Sequence, residues 1–436
     1  MNTYFHSVRL DRDKCKGCTN CIKHCPTEAI RVRGGKAQII AERCIDCGEC
    51  IRVCPYHAKI SYTDPFSDIG RFKYKIALPA PALYGQFKNL SSIDRVVVAL
   101  KLMGFDDVYE VARGADIVSC AIQEKLQDMD NLPVISSACP AIVRLIQVRF
   151  PNLIDNIIDL LSPMEVAASV AKREYAKKHG VSLKDIGAFF ITPCPAKMTS
   201  IKNPYGIDSS NVDGAFSVID IYGLLAGQLK KPGIVTLEGA TASVCGVGWA
   251  NSGGEAAAAG ITNSLAVDGI GNVIKVLEEI ENLKLTDLQY FEGLACPGGC
   301  VGGPLTFENP FVARTRIKNL SAKIENEAPS VAYAQKYIHD GTVDFRQPIK
   351  ARPVMKIDAD MVTAMKKLEA IEEIAKRLPG LDCGSCGSPS CHAMAEDIVL
   401  SDAKEMDCVF KLRDKVTSLA EQMVELTGRD KKETSR

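Results

Sequence analysis

The chain has 436 residues, 46% of them hydrophobic, enough for two to four domains with a large buried core. Lys plus Arg and Asp plus Glu are equal at 53 each, so the charge balance gives no reason to expect nucleic acid or a lipid surface as a partner. No run reaches about eighteen predominantly apolar residues and the first residues carry no apolar leader, so neither a membrane span nor an export signal is expected.

The 18 cysteines are the informative count. Most fall in tight C-x-x-C clusters rather than as dispersed pairs. Clustered thiols in a chain without an export signal read as metal ligands in a reducing compartment, so the cytoplasm is the expected location.

Residues 15–26 read CKGCTNCIKHCP and residues 44–55 read CIDCGECIRVCP. This is C-x2-C-x2-C-x3-C-P twice, the bacterial ferredoxin spacing. Three close thiolates wrap one corner of a cubane and the fourth reaches across. Cys15, Cys18, Cys21 and Cys54 should therefore hold one [4Fe-4S] cluster, and Cys44, Cys47, Cys50 and Cys25 a second. Zinc ribbons do not exchange ligands in this way. His24 and His57 lie beside ligands and read as surface residues. Two such clusters side by side form an electron wire.

Short apolar runs then alternate with helical patterns, as in α/β proteins. KIALPAPAL, DDVYEVA, PVISS, GAFFITP and DLQYFEGLA read as strands. SSIDRVVVALKLMG reads as a helix that Ser91 would cap. Cys139 follows PVISS, Cys194 follows GAFFITP, and Cys296 follows DLQYFEGLA with Cys300 four residues on. In open α/β sheets that end of the strands is where ligands bind, so separate strands can converge four thiolates on one site. Ordinary buried cysteines are the competing reading.

The three segments resemble, in order, the signature motifs of the [FeFe]-hydrogenases. SSACP resembles Thr-Ser-Cys-Cys-Pro, TPCPAK resembles Met-Pro-Cys-x-x-Lys, and FEGLACPGGCVGG resembles Glu-x-Met-x-Cys-x-x-Gly-Cys-x-x-Gly-Gly-Gly. ALPAPA, 77–82, resembles the Ala-Pro segment lining that family's cofactor. The resemblance covers most of residues 75–310. It implies an H-cluster: a [4Fe-4S] cluster on Cys139, Cys194, Cys296 and Cys300, bridged by Cys300 to a two-iron subsite carrying CO, cyanide and an azadithiolate. It implies Lys197 as donor to a cyanide, and H2 and protons as substrates.

The departures are as telling. Ala138 stands where the family has its proton-relay cysteine. Thr192 and Leu294 replace methionines, Ser200 a glutamate, Pro304 a glycine and Leu305 a glutamine. Glu124, in ADIVSCAIQEKL, is displaced by one position from a relay glutamate. Proton transfer needs titratable groups at hydrogen-bond reach, so Glu255 and Glu292 are the substitute candidates, with Cys120 and Cys245 uncommitted. Structural carboxylates and core thiols are the plain alternatives.

Towards the end, GLDCGSCGSPSCH plus Cys408 gives C-x2-C-x4-C-x16-C. Cys383, Cys386, Cys391 and Cys408 should hold a third accessory [4Fe-4S] cluster, with four-cysteine zinc as the competitor. His392 is a weak substitute ligand. Residues 358–377 read as an amphipathic helix. Val409, Leu412, Val416, Leu419, Met423 and Leu426 are spaced as an a/d heptad over two and a half repeats. That helix is either docked on its own domain, a homodimer seam, or a stub for a partner.

The expected architecture is a two-lobed α/β catalytic domain with mixed or parallel sheets (74–345), after an α+β ferredoxin domain (1–65). A small helical iron–sulfur domain (355–411) and a terminal amphipathic helix (409–430) follow. Ala138 and the C-terminal cysteines resemble the family's sensory branch, which implies slow, regulatory H2 chemistry, a redox partner protein and a kinase or phosphatase partner. Two other readings stand beside it: an iron–sulfur assembly protein of the hydrogenase-like family without a two-iron subsite, and a plain electron carrier.

Overall fold

The computed structural model describes residues 5–433 except 130, 232–241, 326–327, 353, 355–356 and 359; side chains are described to residue 426. Part of the expected 358–377 helix and of the 355–411 segment thus lies outside the described residues. The chain divides into two compact units. The first comprises residues 1–9, 45–48 and 60–352, and the second residues 10–44, 49–59 and 353–436.

The first unit is built on two sheets, each wholly parallel. One has the order Asp107–Val108, Tyr74–Pro79, Ile186–Thr192, Gly214–Ser217. The other runs Ser264–Asp268, Tyr290–Leu294, Val134–Ile135. All seven residues of Ile186–Thr192 are buried, as expected of a strand covered on both faces. Successive side chains point to opposite faces. Ile76, Leu78, Ala188 and Phe190 enter one apolar core with the helices Val111–Lys125 and Pro163–His179. Ala77, Phe189, Ile191 and Phe216 enter the other, under the helices Asp94–Leu102, Val218–Leu229 and Pro310–Ser321.

Two local expectations are corrected. DDVYEVA narrows to the strand Asp107–Val108, and Val111 already opens a helix. The amide of Tyr109 still donates to Ala77 O at 2.9 Å. Beyond it Val111, Ala115, Val118 and Ile122 recur at helical spacing and are all buried, so burial of one helical face wins over β propensity. Ser91 is no cap: the helix starts at Asp94 after Ile93, without a side-chain cap bond.

In the second unit the ferredoxin-type segment contributes two short helices, Asn20–Lys23 and Glu49–Arg52, and the hairpin Ile30–Arg33/Lys36–Ile39. Gly34 and Gly35 turn that hairpin at φ 55° and 71°, the left-handed pair a tight primed turn requires. The C-terminal segment packs the helix Met361–Arg377 on Cys391–Val399 around buried Ile371 and Met394. Asp360 and Ser390 cap these helices, accepting from Thr363 N at 2.8 Å and Ala393 N at 3.0 Å.

A buried charge cluster joins hairpin to C-terminal segment. Asp397 accepts from Arg31 Nε at 2.7 Å, Arg33 Nη2 at 2.6 Å and Ser388 Oγ at 2.6 Å, and Arg43 pairs with Glu396. Val32 N donates to Gly387 O at 2.7 Å. A final helix spans Val409–Glu433. No helix among the described residues is long and apolar enough to cross a membrane.

Candidate active site

The recurrent Cys-Pro has a local cause. Cys139 and Cys194 are the N-cap residues of the helices Pro140–Arg149 and Pro195–Lys202, and both are extended. Proline at the first helical position has its φ preset and no amide to leave unpaired. Each Cys-Pro therefore stops a strand-to-helix connection with the thiol at the junction. Thr192, two residues before Cys194, closes that junction: its hydroxyl accepts from Cys194 N and donates to Cys194 O, each at 3.0 Å.

The third segment turns on glycine. Gly299 lies at φ 95°, and a Cβ there would sit 2.6 Å from Ser252 N. A Cβ on Gly303 would sit 2.3 Å from Pro193 O. The backbone thus carries Cys296 and Cys300 against the segment that precedes Cys194.

These elements enclose one cavity of about 100 Å³. Cys139, Cys194, Cys296 and Cys300 all line it, as do Lys197, Glu255 and Glu292. Ala80, Pro81 and Ala82 of the ALPAPA segment, Ala138, Met164, Phe190, Trp249 and Leu294 supply an apolar wall, and Cys47 also reaches it. Sequence reasoning placed Cys47 only in a ferredoxin set and did not foresee Trp249 or Met164.

Burial pushes the Cys194 thiol up to about 11 and the Cys300 thiol up to about 12. Such thiols become thiolates at neutral pH only when positive charge is brought to them, which a metal cluster does. Lys197 is the fixed cation of the site. Its ammonium donates to Ala138 O at 2.9 Å. Burial pulls its pKa down, while Cys300, Cys194 and Cys139 pull it back up. A buried ammonium beside four convergent thiols suits an anionic group. The donor set therefore fits a cubane with an anionic ligand beside it.

The two carboxyls form a buried pair. Tyr290 and Glu292 lie on the same face of their strand. Tyr290 Oη donates to Glu255 at 2.8 Å, and Ser136 Oγ lies 2.9 and 2.8 Å from the two Glu255 oxygens. Glu292 accepts from Gly253 N at 2.9 Å and Ala256 N at 3.0 Å. Burial raises both pKa values, and Glu292 raises that of Glu255 further. Ser136 Oγ also accepts from Ala138 N at 3.1 Å. A hydroxyl thus links Glu255 to the backbone of Ala138.

The remaining candidates lie elsewhere. Glu124 pairs with Gln335 and is not among the cavity residues. Cys120 and Cys245 flank buried Asp116; burial raises both thiols, and Asp116 raises them further. In the second unit, Cys15, Cys18, Cys21 and Cys54 line a small common cavity. Cys15 Sγ accepts from Ala37 N at 3.4 Å and Cys54 Sγ from Ala58 N at 3.3 Å. Cys383, Cys386, Cys391 and Cys408 line another. Of the other ferredoxin-type set, Cys25, Cys44 and Cys50 belong to the second unit and Cys47 to the first. His24, His57 and His392 are exposed.

The family described as iron only hydrogenase large subunit, C-terminal domain, matches residues 73–262 and 248–304, more than half of the chain. A 4Fe-4S dicluster domain matches residues 7–55, and a proposed Fe-S cluster segment matches 378–410. The chain is 29% identical over 251 residues to the periplasmic [Fe] hydrogenase large subunit of Nitratidesulfovibrio vulgaris, covering 52% of this chain and 59% of that one. It is 26% identical over 227 residues to iron hydrogenase 1 of Clostridium pasteurianum, covering 45% and 40%. The chain thus spans about half the length of the curated relatives it matches. An [FeFe]-hydrogenase structure from Chlamydomonas reinhardtii superposes with TM-score 0.52 at 16% identity, over 67% of this chain and 97% of that one, and establishes likeness of fold. The chain belongs to the iron-only hydrogenase large-subunit family.

Proposed function

We propose that the chain is an H2-converting oxidoreductase, reversible and slow, serving to sense or regulate rather than to turn over H2 in bulk. The observation that carries this reading is the one cavity shared by Cys139, Cys194, Cys296, Cys300 and Lys197, with a largely apolar wall. The four thiolates would hold the cubane of an H-cluster, Cys300 would bridge to the two-iron subsite, and Lys197 would donate to one of its anionic ligands. When bound, that group supplies the cleavage and formation of H2.

The chain's own residues position and move the proton. Ala138 carries no titratable group. It is pinned by Ser136 on its amide and by Lys197 on its carbonyl. Glu255, with its proton held by burial and by the neighbouring Glu292, is the carboxylic acid that Ser136 connects to that position. Glu255 lines the cavity itself, but Ala138 puts no titratable group at the relay position, and losing a positioned acid–base group slows proton transfer, in keeping with a sensor.

Three accessory [4Fe-4S] clusters would carry electrons: on Cys15, Cys18, Cys21 and Cys54; on Cys25, Cys44, Cys47 and Cys50; and on Cys383, Cys386, Cys391 and Cys408. The output would pass in the cytoplasm to a redox partner or to a kinase or phosphatase. The exposed seam Val409, Leu412, Val416, Leu419, Met423 and Leu426, each at least 46% exposed, is the element we assign to pairing with a second copy. Hydrogen uptake with a dye acceptor by the matured protein tests the reading. Slow uptake that follows the iron content supports it. No uptake from protein carrying the two-iron subsite overturns it.

A further inference from the structure

The two ferredoxin-type halves are internal repeats, and they differ at one buried position. Residues 25–32 read CPTEAIRV and residues 54–61 read CPYHAKIS. In both, the amide four residues on donates to the fourth cysteine's sulfur: Ala29 N to Cys25 Sγ at 3.2 Å, Ala58 N to Cys54 Sγ at 3.3 Å. In both, a strand starts at the next residue. That residue is Ile30 in the first half and Lys59 in the second. Ile30 is 2% exposed and Lys59 is 3% exposed.

An isoleucine there needs no explanation; a lysine does. Its Nζ is buried and has no hydrogen-bond partner. No carboxylate lies within ion-pair distance of it among the described residues. A charge buried without a partner costs several kcal/mol. Lys59 lines the same small cavity as Cys15, Cys18, Cys21 and Cys54. Four thiolates around a cubane leave such a site net negative, and reduction adds one more negative charge.

We propose that Lys59 is the countercharge of the cluster held by Cys15, Cys18, Cys21 and Cys54, and that it makes this cluster easier to reduce than its pseudo-symmetric twin. A fixed cation in a low-dielectric wall favours the more negative, reduced state. Electrons entering the ferredoxin pair therefore rest on this cluster. The C-terminal cluster segment lies next to it: a Cβ on Gly384, between Cys383 and Cys386, would sit 3.2 Å from Lys23 and 3.4 Å from Ile22, the two residues after Cys21. The electron would thus be held beside the C-terminal set.

The test is a reductive titration of the reconstituted full chain, followed by EPR, with iron counted in each preparation. In Lys59→Met one ferredoxin-type signal should need a lower potential, its reduced-to-oxidised ratio falling about tenfold at fixed potential, which is 59 mV for a one-electron couple. Lys59→Arg should keep the wild-type ratio, and Ile30→Met, the same change of shape in the other half, should move neither signal. Unchanged signals in Lys59→Met at full iron content would overturn the proposal. Loss of iron in Lys59→Met but not in Lys59→Arg would support a countercharge; equal loss in both would overturn it in favour of packing. The proposal depends on the ferredoxin-type cluster set and not on H2 chemistry. Absence of any wild-type ferredoxin-type signal would defeat the cluster set itself.

Discussion

Ala138 concentrates the chemistry of the site in one methyl group. The backbone around it is held from both sides, so a side chain introduced there inherits a fixed position. Ala138→Cys should raise H2 turnover of the matured protein at least about tenfold, the low side of what a positioned acid–base group contributes; an unchanged rate would remove Glu255 and Ser136 as the onward path. Glu255→Gln keeps the shape and removes the proton. It should lower turnover about 10²-fold at unchanged iron content. The carboxyl pair also predicts a pH effect. Burial raises both folded pKa values, and the Glu292 charge raises that of Glu255 further, so the folded chain keeps protons that the unfolded chain has released. Stability should therefore fall as pH rises from the ordinary carboxylate range through neutrality, and Glu255→Gln should flatten that slope in chemical denaturation. Cys139, Lys197 and Ala138 could be singled out in the sequence because each sits in a short ordered motif. The partners of Glu255 could not: Ser136 is 119 positions away and Tyr290 is 35. No periodicity reports which hydroxyl a fold will bring to a buried acid.

At the scale of elements, the strand-end cysteines were legible because parallel strands and Cys-Pro helix starts share a simple pattern. The strand around Asp107 was not, because β-branched residues at the head of a buried helix look like a strand until the helix has something to pack on. The Arg31, Arg33, Arg43, Glu396 and Asp397 network was equally silent, since it joins segments more than 350 positions apart. It is a buried charge cluster, and removing Asp397 leaves Arg31 and Arg33 without their shortest carboxylate contacts. Asp397→Asn should cost about 3 kcal/mol in denaturation of the second unit, whereas Glu369→Gln, on an exposed helix face, should change little. The terminal helix shows its heptad face exposed along Val409–Leu426. If that face joins two copies, Leu412→Ser with Leu419→Ser should halve the sedimenting mass; a wild-type chain already monomeric at working concentration would contradict the seam.

For the whole molecule, residues 10–44 and 49–59 of the ferredoxin-type segment share a unit with the C-terminal segment, while residues 1–9, 45–48 and 60–65 belong to the first unit. The first unit carries the cavity with its cation and its acids. Four cubanes alone imply roughly sixteen irons per chain, and a two-iron subsite raises this to roughly eighteen. An iron count near sixteen after maturation would favour an assembly protein or an electron carrier. The most direct test of the central claim is an infrared spectrum of the anaerobically reconstituted chain after incubation with the synthetic two-iron cofactor. Sharp bands of iron-bound CO and cyanide that shift under H2, and that weaken in Lys197→Met, are the predicted result. Intact cubanes with no protein-bound CO or cyanide bands would contradict it.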